Sequence, residues 1–377
     1  MTARRVAVEA LVRVDEGAYA NLVLPLLLER SGLDRRDRAF VTELVYGSTR
    51  MRRACDWLVD RLVDRPLEPE VRAVLRLGAY QLAFLRTPPH ASVSATVEVA
   101  PPRARGLVNA VLRRLAREPA PPWPDPATRL SYPDWIVRRL AADLGAEAAE
   151  AALEQMNAAP PVTERADGYV QDEASQQVAA YVGAAAGERV ADLCSAPGGK
   201  ATAMASGGAA LVVAADVSPS RSRLVATNAA RLGLPNVAVV AADAGSPPLR
   251  PASLDRVLVD APCSGLGVLR RRPDARWRVQ PDDVERLAAL QRRLLDGAAG
   301  LVRPGGLLVY SVCTLTSTET VEVDRWLASA HPDLVAVPPP GPPWAPRGRG
   351  ALLLPQDAGT DGMFVVGLRR PGGGGTT

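Results

Sequence analysis

Two short runs carry the sharpest chemical signal in the chain: Asp260-Ala-Pro-Cys-Ser-Gly265 and Tyr310-Ser-Val-Cys-Thr314. Each puts a cysteine, Cys263 or Cys313, just past the end of an expected strand. A buried cysteine by itself is more often a small hydrophobe than a nucleophile, but two thiols at one edge of a sheet tilt that balance. The two histidines, His90 and His331, lie far from both runs, which disfavours a cysteine–histidine hydrolase. A thiolate without a histidine base suits addition to an electron-poor ring. Attack at C6 of a pyrimidine turns C5 into a carbon nucleophile, which can take a methyl group from a sulfonium donor. A carboxyl group hydrogen-bonded to ring N3 stabilises that adduct, and Asp260, three residues before Cys263, suits the role. On the residues alone, either cysteine could attack.

A third run would hold the donor. Val190-Ala-Asp-Leu-Cys-Ser-Ala-Pro-Gly-Gly-Lys-Ala-Thr202 reads as a strand, a glycine-rich turn and a helix start. Gly198 and Gly199 let backbone amides approach a ligand, and the following helix offers unpaired N–H groups to a polar or anionic molecule. Lys200 is the one lysine in the sequence; the other 44 basic residues are arginine. A site that needs a compact point charge and has no room for a guanidinium fork accounts for it. Asp216, expected at the end of the second strand, suits a ribose diol, or it serves the helix that starts near Ser218. Asp243, expected at the end of the third, suits an adenine amino group, or it is a turn carboxylate before Gly245.

These runs need a sheet to align them. After residue 188, apolar strands and helices alternate: 188–194, 211–215, 237–242, 256–259, 306–312 and 363–368 read as strands, with helices over 218–231, 282–301 and 316–330. That pattern implies a parallel sheet covered on both faces, with ligands at its carboxyl edge. Residues 1–120 read as helices throughout, with Asp34 starting one of them. They hold 20 arginines against 14 acidic residues, a net +6, and the remainder is at −2, so the helical part is expected to meet a polyanion. Arg113, Arg114 and Arg117, with Arg50, Arg52 and Arg53, could form a phosphate-binding surface. Arg270, Arg271 and Arg272 open a run of five arginines around Trp277 that suits RNA contact. The proline-rich stretch 119–126 reads as a stiff linker, 133–156 as one helix and 338–346 as a surface loop. The four cysteines lack C-x-x-C spacing, so no zinc site is expected. No signal segment or membrane span is apparent, and a cytoplasmic protein with free thiols is expected.

Asp192-Leu-Cys-Ser-Ala-Pro-Gly-Gly-Lys200, Asp260-Ala-Pro-Cys-Ser-Gly265 and Ser311-Val-Cys-Thr314 together resemble the RsmB/Sun (Fmu) family of S-adenosylmethionine-dependent RNA cytosine-C5 methyltransferases. Pro88-Pro-His-Ala91 and Arg105-Gly-Leu-Val-Asn-Ala-Val-Leu-Arg-Arg114 resemble the NusB-like RNA-binding domain of RsmB proteins. The resemblance implies an α/β fold: a Rossmann-like methyltransferase sheet preceded by an all-α NusB-like domain. It divides the chain into a helical RNA-binding domain (1–120), a linker and helical segment (121–165), a methyltransferase domain (166–371) and a flexible tail (372–377). It implies that Cys194, Ser195, Ala196, Pro197, Gly198, Gly199 and Lys200, with Asp216, Asp243 and Asp260, bind S-adenosylmethionine. Cys313 is then the nucleophile, Cys263 helps expel the methylated product, and Asp260 contacts cytosine N3. The implied substrate is a cytosine in 16S ribosomal RNA, and a monomer is expected. Methylation of another RNA such as tRNA, and an inactive RNA-binding assembly factor, are the alternatives. There are two departures. Val312 stands where the family commonly has threonine, and the small α/β subdomain expected between Pro160-Pro-Val-Thr163 and Val170-Gln-Asp-Glu-Ala-Ser175 is essentially missing.

Overall fold

The computed structural model describes residues 1–85, 87–119 and 121–372. Of the expected tail, residues 373–377 lie outside the described residues. The chain forms two compact units that are not consecutive in sequence: Met1–Arg138 with Asn157–Ala159 and Leu269–Arg278, and Arg139–Met156 with Pro160–Val268 and Val279–Thr377.

The first unit is all helix. Its main helices are Ala3–Asp15, Ala20–Ser31, Arg35–Arg50, Arg52–Asp60, Pro69–Ala83, Pro89–Val99 and Arg105–Arg117. Apolar residues recurring every three or four positions bury one stripe of each helix in a shared core that includes Val6, Leu11, Leu44, Leu75 and Leu112. Asp34 caps its helix as expected, accepting from the Asp37 amide at 2.8 Å.

Arginines hold parts of this unit together. Arg76, 1% exposed, bridges Asp15 at 2.7 Å and Asp56 at 2.9 Å. Arg53 binds Thr128, the Tyr132 carbonyl and Asp134. Arg50 is buried and donates to the Arg270 carbonyl at 3.1 Å. The segment Leu269–Arg278 is anchored in the same way. Arg276, fully buried, donates to the carbonyls of Arg50 and Ser131 and to Asn157, and its guanidinium lies 3.8 Å from the Tyr132 ring centroid. Burial pushes Arg276 down to about 10, still a cation at neutral pH. Trp277 donates to the Thr49 carbonyl at 2.7 Å.

The second unit is built on a nine-stranded sheet: β1 Arg189–Asp192, β2 Leu211–Asp216, β3 Val237–Ala241, β4 Leu254–Asp260, β5 Val302–Val312, β6 Val335–Ala336, β7 Ala345–Arg347, β8 Gly350–Leu353 and β9 Met363–Arg369. The order is β3-β2-β1-β4-β5-β9-β8-β7, with β6 against β9. The pairs among β1–β5 are parallel, and β9 runs antiparallel to β5. Register sets Asp192 beside Leu258 and Asp260 beside Ser311, so β1, β4 and β5 end at one edge.

The structure differs from expectation at three places. The hairpin β7–β8 was not expected; β7 begins inside the proline-rich stretch, and β8 is held by pairing with the distant β9. The stretch 133–156 is two helices, Asp134–Leu144 and Ala146–Gln155, separated at Gly145 (φ +88°). The helix expected from 316 starts at Val321. Between Thr163 and Gln171, where sequence leads to the expectation of a lost subdomain, the chain makes a tight turn. Gln171 N donates to the Thr163 carbonyl and Arg165 N to the Tyr169 carbonyl, at 3.0 and 2.9 Å.

Candidate active site

The strand order reverses between β1 and β4, the place where open α/β sheets receive ligands beyond their carboxyl ends. The turn after β1 is fixed from several directions. Ser195 N donates to the Ala215 carbonyl at 2.8 Å, Arg221 to the Ala196 carbonyl at 3.1 Å, and Asn228 to the Pro197 carbonyl at 2.9 Å. Arg165 donates to the Gly199 carbonyl at 2.5 Å and to the Thr202 hydroxyl at 3.1 Å. Gly198 sits at φ +106°, where a side chain is strained. A Cβ on Gly199 would lie 3.0 Å from Gln171 Nε2, a tight contact from which the Gln171 amide would have to shift.

Beneath this turn lies a charged cluster. Lys200, 8% exposed, bonds Asp260 at 2.6 Å. Burial works against its ammonium, but the Asp260 carboxylate, joined by Cys313 and Asp192, outweighs it and raises the Lys200 pKa. Asp192 is 1% exposed, and neither of its carboxylate oxygens has a hydrogen-bond partner among the described residues. Burial, then the charge of Asp260, pushes Asp192 up to about 7. Burial and the three acids Asp192, Asp260 and Asp216 likewise hold the Cys194 thiol protonated.

The raised Asp192 has a consequence for stability. Its folded pKa lies above the ordinary carboxylate value of 3.8, so the folded protein binds more protons between pH 4 and 7, and stability falls as pH rises through that window. Asp192→Asn removes the titration. Denaturant unfolding of both proteins across pH 4–8 should therefore show the variant gaining on the wild type as pH rises, by at most about 4 kcal/mol. Parallel pH profiles would contradict the assignment.

Cys263 and Cys313 meet at the same edge, their sulfurs 3.3 Å apart. The hydrogen bond with Cys313, and then burial, push the Cys263 thiol well up, so Cys263 keeps its proton; either sulfur of the pair can donate. Asp216 accepts from Ser218 N at 3.0 Å and faces Arg221 at 3.3 Å. The Ser218 hydroxyl, not Asp216, caps the following helix. Asp243 lies two residues beyond β3, half exposed, bonded to the Gly245 amide and to both terminal nitrogens of Arg293, which hold its pKa down.

The sequence matches the family model of the 16S rRNA methyltransferase RsmB/F over residues 180–369 and that of the NusB family over residues 1–117. It is 41% identical to the ribosomal RNA small subunit methyltransferase B of Thermus thermophilus over 98% of both chains. The chain belongs to the RsmB/F methyltransferase family. The enzyme of the same name from Pseudomonas putida is 33% identical over 98% of both chains. The crystal structure of PH0851, 22% identical, superposes with a TM-score of 0.80 over 97% of this chain and 98% of that one, a likeness of fold. The family, the NusB-like helical domain, the Rossmann-like sheet and the S-adenosylmethionine cofactor expected from sequence all stand.

The residues present fit that RsmB/F cofactor. The orphaned buried oxygens of Asp192 and Ser195 invite a polar, cationic partner. Asp216 supplies a carboxylate at the end of β2. Lys200 and Asp260 are bonded, Cys263 and Cys313 are in contact, and the Cys313 sulfur acts electrostatically on Lys200. Asp243, half exposed, is paired with Arg293.

One expectation needs correction. Arg270 is 3% exposed inside the first unit, so its side chain is not a surface for RNA. Its neighbours divide: Arg271 is half-buried and Arg272 is exposed. Arg50 and Arg53, likewise, are bonded within their unit and do not form an open phosphate surface. Arg113 and Arg114 are exposed, each bonded along its own helix, to Asn109 and to Glu118. Sequence reasoning missed Asp192 as a titrating group, Arg165 as a brace of the glycine turn, and Glu319. No helix among the described residues is long and apolar enough to cross a membrane, and none of them form a cluster able to hold a metal.

Proposed function

We propose that the chain transfers a methyl group from S-adenosylmethionine to C5 of a cytosine in RNA, and that the RNA is 16S rRNA. The observation that carries this reading is the 3.3 Å approach of Cys263 and Cys313 at the sheet edge that also holds the part-buried Lys200–Asp260 pair. A Cys263 thiol that holds its proton, 3.3 Å from the Cys313 sulfur, leaves Cys313 as the nucleophile of the pair. The Cys313 thiol gives its proton to solvent as its sulfur adds to C6, and the C5–C6 π pair moves toward C5 and the N3 side of the ring. Asp260, held by Lys200, meets N3. S-adenosylmethionine, held by the turn from Cys194 to Lys200 with Asp216 and Asp243, supplies an electrophilic methyl group. Once Cys313 is bonded to carbon, the main cause holding up the Cys263 thiol is gone. Cys263 can then give its proton to solvent, and its thiolate takes the proton from C5; the C5–H pair re-forms the C5–C6 double bond as the S–C6 pair returns to the Cys313 sulfur. The names of the relatives and the NusB-like unit support a ribosomal substrate. Exposed Arg113, Arg114 and Arg272 are the phosphate contacts we retain.

Bisulfite sequencing of 16S rRNA and tRNA from a deletion strain, with and without the restored gene, tests the reading. One protected cytosine in 16S rRNA should vanish on deletion and return on complementation. Loss of a protected cytosine only in tRNA would reassign the substrate, and an unchanged pattern in both would point to an assembly factor without catalysis.

A further inference from the structure

Glu319 is fully buried, and every donor that the structure gives its carboxylate is neutral. Oε1 accepts from Ser264 N at 2.8 Å and Gln291 Nε2 at 3.1 Å. Oε2 accepts from the hydroxyls of Ser264 at 2.5 Å, Thr314 at 3.0 Å and Thr316 at 3.0 Å. Five donors saturate a carboxylate and offset the cost of burying its charge.

What these donors flank matters more than their number. Ser264 follows Cys263 and Thr314 follows Cys313. The second hydrogen of Gln291 Nε2 goes to the Pro262 carbonyl at 2.9 Å, on the other side of Cys263. Tyr310, on β5, closes the ring by donating to the Glu319 carbonyl at 2.6 Å. The loops that carry the two thiols are thus tied to one buried anion.

We propose that Glu319 is a positioning residue that sets the distance between Cys263 and Cys313. The inference rests on the reading of Cys313 as nucleophile. Glu319 touches neither sulfur; it acts through the backbone and hydroxyls of Ser264 and Thr314. Displacement of a reacting group by about 1 Å can slow a reaction about 100-fold, so the clamp acts on rate rather than on binding.

The test uses the full-length protein with RNA containing 5-fluorocytidine. Glu319→Gln keeps the shape but sets an N–H₂ against donors; the hydroxyls can turn to accept it, whereas the Ser264 amide cannot. The expected result is covalent adduct formation about 10- to 100-fold slower, with the Kd for S-adenosylmethionine and the KM for RNA within about twofold. The ratio of iodoacetamide labelling at Cys313 to that at Cys263 should shift as well. A group that only supports folding would lower thermal stability and leave that ratio and the adduct rate alone. If Glu319→Gln does not fold, Thr316→Val, which removes one donor of five, takes its place and should slow the adduct about threefold or more. An adduct rate within twofold of wild type in the folded variant overturns the positioning role. Absence of adduct in the wild type, or its persistence in Cys313→Ala, overturns the nucleophile assignment instead, so the two failures read differently.

Discussion

Cys313→Ala should form no covalent complex with 5-fluorocytidine RNA, and its methyl transfer should fall by about 10⁴-fold or more, the scale on which loss of a nucleophile registers. Cys263→Ala should do the opposite. Its Cys313 sulfur still adds to C6, but the partner needed to take the C5 proton is gone. Adduct with ordinary cytosine RNA should then accumulate and survive denaturing electrophoresis while turnover stops. The asymmetry comes from the unequal state of two sulfurs 3.3 Å apart. The hydrogen bond with the facing sulfur, and then burial, hold the proton on Cys263, so Cys263 begins as a thiol and changes role only after its neighbour is alkylated. Adduct in Cys313→Ala and none in Cys263→Ala would exchange the two assignments.

Lys200→Met should be nearly as damaging, by another route. The ammonium faces Asp260 at 2.6 Å, with the buried Asp192 close enough to raise its pKa. Removal of one partner from a buried ion pair costs about 3–5 kcal/mol when the other stays charged. Here the carboxylates can take up protons instead, which sets the sign of the pH effect. Without the ammonium, which holds Asp192 down, the already raised Asp192 pKa rises further, so the folded state binds extra protons and the loss is largest at high pH. Urea unfolding at pH 5 and pH 8 should show the variant much weaker at pH 8 and closer to wild type at pH 5. Methyl transfer should fall about 100-fold or more, because a preorganised charge at the ring is lost. Lys200→Arg should not restore it, since a planar fork cannot occupy the volume of a buried point charge. Full activity in Lys200→Arg would mean that any cation suffices.

What was legible in the sequence follows from how locally each feature is determined. β1, β2 and β4 are short apolar runs ending in Asp192, Asp216 and Asp260; both their burial and their edge residues are readable by eye. The glycine turn and the two cysteine runs have strict local composition. β7 and β8 have neither, since they are three and four residues long; β8 exists because β9 offers it a partner, and β7 because β8 does. The arginines of Leu269–Arg278 misled for a related reason. Charge in a sequence gives no direction, and the fully buried Arg276 finds carbonyls and an aromatic ring inside its own unit. Glu319 lies six residues past Cys313 in a run of threonines and serine that reads as a helix start. Only the folded chain reveals that these hydroxyls converge on it.

The turn at Thr163–Gln171 has a further consequence. Its two arms are joined by backbone hydrogen bonds, so residues 165 and 169 stand at bonding distance from each other. Any folded module with neighbouring termini could be spliced into the tip between them. The entropy of closing such an insertion grows only slowly with its length. Arg165, at the base of the tip, keeps its grip on the Gly199 carbonyl whichever length is present. The position is a socket: a domain can be gained or discarded there while the cofactor turn keeps its shape, which makes it the natural graft point for a hybrid enzyme with altered RNA choice.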